Sequence, residues 1–413
     1  MSTFPDASAV LSRRSVVGSV AGIAAAGVAA RPGAFAHLAT PAASPATDAV
    51  DAAKQIVESA QADYALRSII ATVRQGDDEL LLTALGESMT GVPATTDMYF
   101  RNGAVAISLV STLMLILAEQ GAIGLDDPIA TWLPDLPDAD TATCRMLANM
   151  TAGYRDYVQS PAFTNAQLAN PFHSFTREEL LTYSFDQPRL FAPGTNWEYS
   201  HTSYQILGMV IEKATGETVD GLMQRLVLDP LGLKQTFAFQ TATIPEPVLH
   251  AFTGERRGVF QIPADVPFYE ESTFWNPAWT ITRGVVQVQT IGDMASAMMH
   301  VGKGTLLSPE SYAAMTGPSL QGFGSKIEGC NTCQTLGETI DYGLGVVRGK
   351  GWLIQNPLFS GYAGTAGYHP ERDLTVAVQV TFAPESFDSD GTYIHGNAST
   401  TIFQRIAAAL TNA

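Results

Sequence analysis

The chain has 413 residues, 46% of them hydrophobic, enough for one large core or two packed subdomains. Its 23 basic against 40 acidic residues give a formal charge of −17. That balance argues against nucleic acid and anionic membrane surfaces as partners, since both need Lys/Arg clusters, and leaves a solvated acidic surface.

Residues 1–36 read as a targeting segment. Ser12-Arg13-Arg14-Ser15-Val16-Val17 resembles a twin-arginine export motif and leads into the apolar run Val16–Ala30. That run falls short of the roughly 20 residues a bilayer span needs. Ala34-Phe35-Ala36 offers a small-x-small cleavage site. The expectation is an exported protein, secreted, periplasmic or envelope-bound, with an uncleaved N-terminal anchor as the alternative. Residues 37–47, rich in Ala, Pro, Ser and Thr, read as a flexible spacer.

Beyond the spacer, Ala52–Val73 reads as helix and Glu79–Leu85 as a strand entering a turn at Gly86. Val105–Gln120 is apolar almost all round, as a fully buried helix is, and Gly121 closes it. Ser203–Thr215 keeps helical spacing through Tyr204, Leu207, Ile211 and Ala214, and Gly216 stops it. Tyr342–Val347, Trp352–Phe359 and Leu374–Phe382 read as successive strands, and Ser399–Leu410 as a closing helix. Strands at both ends around a helical middle predict an α+β fold. Its sheet subdomain would come from 48–100 and 285–413, and its helical subdomain from 101–284. Cys330-Asn331-Thr332-Cys333 lies among turn residues, which favours a short-range disulfide over a redox or zinc site. Cys144 is left as a buried thiol.

Several motifs occur in a telling order. Phe100-Arg101-Asn102-Gly103-Ala104-Val105-Ala106-Ile107 resembles the Phe-Arg-x-Gly-Ser-x-x-Lys segment of penicillin-recognising enzymes, the β-lactamase and D-alanyl-D-alanine carboxypeptidase family. Leu125-Asp126-Asp127-Pro128 follows Gly103 by 22 residues, as in that family. Leu147–Gly153, Phe191–Ser200, Leu207-Gly208, Asp229–Leu233 and Asn276–Trp279 continue the resemblance. It implies a β-lactamase-like fold: an antiparallel sheet flanked by helices, beside a mainly helical subdomain, with the site in the groove between them.

The resemblance puts Ala104 at the nucleophile position and Ile107 at the position of the activating lysine. A methyl group cannot attack a carbonyl, and a sec-butyl group cannot move a proton. Ser108 and Ser111 read as helix hydroxyls bonding back to carbonyls. The family's second motif becomes Tyr199-Ser200-His201, with His201 the one position where new base chemistry is conceivable. The third motif aligns with Tyr362-Ala363-Gly364, a neutral Tyr where the family carries a cation. The ligand-binding set is therefore Ala104, Tyr199, His201, Tyr362 and Gly364, with Tyr199 and His201 as the catalytic candidates. No metal or cofactor is expected. The leading reading is a non-hydrolytic member that binds a small peptide-, ester- or amide-like ligand. A hydrolase rebuilt around Tyr199 and His201, and a partner-binding module with a filled groove, are the alternatives.

Overall fold

Ile69, Ala71 and Val73 face one way from their strand and Ile70 the other, and all four are fully buried. A strand buried on both faces sits inside a sheet covered by helices on both sides. The computed structural model describes residues 47–239, 241–282 and 285–411. The leader at 1–36, and the spacer up to its last residue, lie outside them.

The sheet has nine strands. They are β1 (Leu66–Gln75), β2 (Asp78–Met89), β3 (Val92–Pro93), β4 (Asp341–Tyr342), β5 (Val347–Gly349), β6 (Trp352–Gln355), β7 (Leu358–Phe359), β8 (Tyr362–His369) and β9 (Leu374–Phe382). Their order is β3-β2-β1-β9-β8-β6-β5-β4, with β7 on β8, and every pairing is antiparallel. Strands from the two ends of the chain thus meet where β1 pairs with β9. Helices α1 (Thr47–Asp63) and α5 (Ala398–Thr411) share a core with Val376, Val378 and Val380 on one face. On the other face α4 (Ile291–Lys303) packs beside the apolar α2 (Val105–Glu119). Between them in sequence lie α3 (His201–Thr215) and shorter helices at Cys144–Ala148, Pro161–Ala169, Arg177–Phe185 and Val219–Met223.

Some elements differ from expectation, each for a local reason. The helix expected to run to Val73 stops at Asp63, because Ala65 turns left-handed (φ 51°) and the following apolar residues gain pairing with both β2 and β9. Gly86 is not a turn: β2 continues through it at φ 80°, where a Cβ would sit 2.1 Å from the Arg67 carbonyl. The strand read over Trp352–Phe359 is broken into β6 and β7 by Asn356-Pro357, since Pro cannot donate to a ladder. The strand read over Tyr342–Val347 is likewise two short ones, β4 and β5, separated by Gly345 at φ 73°.

Candidate functional site

The segment before Ala104 is held by a reciprocal amide pair. Asn102 Nδ2 donates to Gln287 Oε1 at 2.7 Å, and the Gln287 N–H donates to Asn102 Oδ1 at 3.0 Å. Gly103 then takes φ 48°, and a Cβ there would lie 2.5 Å from Pro357 Cβ and 2.7 Å from the Phe359 ring. Glycine is what lets the segment at 356–359 close down on the start of α2. Ala104 is the N-cap of α2 and offers no capping side chain. Its own N–H donates to no described residue, as befits one of the orphan donors of a helix start. Ile107, one turn on, is 2% exposed and belongs to the main core. Ser108 donates to the Val105 carbonyl at 2.8 Å, while Ser111 shares a 2.8 Å bond with the Tyr204 hydroxyl.

His201 opens α3, and Asp156 secures that helix end. The buried Asp156 carboxylate accepts the His201 N–H at 3.2 Å and lies 3.0 Å from His201 Nδ1 through its other oxygen. It also accepts from the Val158 N–H at 3.1 Å. An anion at a helix N-terminus satisfies open N–H groups and the helix dipole together. With Nδ1 facing the carboxylate, His201 keeps Nε2 for the groove, and its side chain is 18% exposed. The Tyr199 ring meets the imidazole edge-on, centroids 5.3 Å apart.

These pieces enclose an open cavity of about 310 Å³, at the small end of ligand sites. Ala104, Tyr199 and His201 line it with Val158, Trp279 and Asn356–Phe359. The groove is therefore not filled by side chains. Its described lining residues include no Lys, Arg, Asp or Glu.

Tyr362 and Gly364 are elsewhere. Tyr362 is 1% exposed, and its hydroxyl donates to the Leu249 carbonyl at 2.6 Å. Gly364 sits inside β8, where a Cβ would meet Gln379 Oε1 at 2.6 Å. The groove edge is formed instead by Asn356-Pro357, six residues before Tyr362, because β7 folds across the start of β8 and covers it.

Burial sets the electrostatics. It holds the Tyr199 phenol well above its ordinary pKa, so Tyr199 stays a neutral donor. Glu198 is 2% exposed; its Oε1 accepts the Asp156 N–H at 3.2 Å and its Oε2 has no partner among the described residues. Burial, with the Asp156 charge second, pushes the Glu198 carboxyl up to about 8. The proton therefore rests on Glu198 near neutral pH.

Cys330 and Cys333 are disulfide-bonded, and Cys144 is buried with its thiol pushed up to about 12 by burial. Trp279 lines the groove, while Trp275 is buried elsewhere and Tyr269 bonds the Phe382 carbonyl. His300 meets Thr305 on the last turn of α4, and Asp388 accepts from its own loop's N–H groups. Asp156 and Asn356 carried no motif in the sequence. Asp156 follows the Thr151-Ala152-Gly153 turn, but nothing there marks its pairing with a residue 45 positions away.

A family model described as Beta-lactamase matches residues 53–398. Esterase EstB of Burkholderia gladioli is 29% identical over 161 residues, which is 36% of this chain and 41% of the esterase. Penicillin-binding protein 4* of Bacillus subtilis (strain 168) is 25% identical over 270 residues, 64% of this chain and 54% of that protein. The matched stretch is thus well short of either relative's length. The solved D-amino acid amidase from Ochrobactrum anthropi SV3 complexed with D-phenylalanine aligns with a TM-score of 0.73 at 22% identity, covering 89% of this chain and 100% of the amidase. At that identity the likeness establishes a common fold.

Proposed function

The chain belongs to the β-lactamase family, and we propose that its groove binds a small aryl ester or amide without forming an acyl-enzyme. One observation carries this reading: the groove is open, yet its nucleophile position is a methyl group and its lysine position is core. In serine proteases, loss of the nucleophile alone lowers turnover on the order of a millionfold. What the groove retains is recognition. Trp279 and Phe359 offer aromatic faces about as wide as one ring, and the Ala104 N–H, Tyr199 hydroxyl and Asn356 amide offer hydrogen bonds to a carbonyl. The twin-arginine-like leader supports an envelope or extracellular setting for such a binder. Titrating the protein with phenylacetamide while following tryptophan fluorescence tests the reading. Saturable binding that weakens at least fivefold in Trp279→Ala is expected, and equal response in the variant would defeat it.

The Asp156–His201 contact favours a second reading, hydrolysis by water. A water on the Ala104 side would attack the ester carbonyl while His201 Nε2 takes its proton. The imidazolium would then return that proton to the departing alkoxide, so ester and water become acid and alcohol. Turnover of phenyl acetate that disappears in His201→Ala and falls in Asp156→Asn would move the assignment to this reading.

A further inference from the structure

The Cys330–Cys333 disulfide closes a loop that lies against both segments walling the groove. Cys333 forms an isolated antiparallel bridge with Glu198, the neighbour of Tyr199. Thr332 Oγ1 donates to the Tyr199 carbonyl at 3.3 Å, and Asn331 Nδ2 donates to Gln159 Oε1 at 3.3 Å, beside Val158. Upstream, Asn196 Oδ1 accepts the Ser325 N–H at 2.7 Å. Tyr199 and Val158 both line the groove, so one short loop touches the backbone behind one wall and the side chain next to the other. The Thr332 and Asn331 contacts are single hydrogen bonds, the first partly buried and the second exposed. Their geometry depends on the loop keeping its shape, and the covalent link between Cys330 and Cys333 fixes that shape.

We propose that this disulfide is a redox-sensitive staple of the groove, with Thr332 and Asn331 as positioning residues, and that opening it weakens ligand binding. The affinity arm rests on the groove reading above. The opening is a two-electron reduction by an external dithiol. A thiolate of the dithiol attacks the sulfur of Cys330, the more exposed residue of the two at 9% against 3% for Cys333, and the Cys330–Cys333 bond breaks. The second thiol of the reagent then displaces the Cys330 sulfur. Both protein sulfurs end as thiols carrying the reagent's two protons, and the reagent ends as its cyclic disulfide. Because the closed loop is short, the disulfide removes little chain entropy from the unfolded state, so its effect is concentrated near the groove.

Two arms test this on the full chain. Dithiothreitol-treated protein, checked by mass for two newly alkylatable thiols, and the Cys330→Ser/Cys333→Ser variant should each bind phenylacetamide at least threefold more weakly than the oxidised protein. Thr332→Val should weaken it, and Thr332→Ser should restore it. Independently of any ligand, reduction should speed amide hydrogen exchange at residues 157–160 and 198–201 at least threefold, with α5 unchanged. Unchanged exchange at both segments in protein shown to be reduced would overturn the proposal. If the oxidised protein binds no probe, the groove reading fails, and the exchange arm still decides the staple.

Discussion

The Asp156 carboxylate lies 3.0 Å from His201 Nδ1 and also accepts the His201 backbone N–H, so one buried anion fixes both the imidazole and the start of α3. Removing its charge should cost both. Asp156→Asn is expected to destabilise the fold by about 1–3 kcal/mol, the range for a charge-assisted bond and a helix-end anion. The same change should weaken ligand binding several-fold, because the imidazole loses its orientation. Denaturant melts and titrations of the two proteins check this, and an unchanged melt would refute the capping role.

Ile107 occupies the position where the family places an amine, and here it belongs to the main core. Ile107→Ala should therefore lose about 2–5 kcal/mol of stability, as for other large-to-small core changes. Affinity for an aryl amide should change less than threefold, since Ile107 does not line the groove. A surface-like effect below about 0.5 kcal/mol would show that the position is not core.

Gly103→Ala tests the approach of Pro357 and Phe359. The new methyl meets both, and the backbone sits at φ 48°. A loss of more than about 1 kcal/mol is expected from the backbone alone. Binding should weaken as well, because Pro357 and Phe359 must move away from the groove edge. Wild-type affinity in this variant would show that these residues do not shape the site.

The Glu198 carboxyl supplies a pH dependence. Its folded value of about 8 lies above the unfolded carboxylate range near 4.3, so the folded chain binds the extra proton between those limits. The corresponding stability is full below about pH 4 and is lost as pH rises through about 8. Glu198→Gln, which keeps the shape without the charge, should flatten the fall in melting temperature between pH 5 and 9. Parallel curves for wild type and variant would rule out Glu198 as its source.

Contiguous motifs made much of this legible beforehand. The frame at Phe100–Ile107 and the Tyr199-Ser200-His201 run each report a local backbone arrangement, and both reach the groove through Ala104, Tyr199 and His201. Asp156 was not legible, because its pairing depends on a tertiary contact across 45 residues. The groove edge was misplaced onto Tyr362-Ala363-Gly364 since a short x-x-Gly match carries little information. Strand β8 also lacks the β-branched run that marks a strand: of Tyr362–His369 only Thr365 is β-branched. It is a strand because β9 and β6 pair with it on either side.

Binding without acylation is the role proposed for this groove. The most direct measurement incubates the protein with benzylpenicillin and with phenyl acetate, following intact mass and product release together. No mass gain with either probe and no burst of product are expected. A stable acyl adduct mapping to residues 100–111 or 199–203 would contradict it.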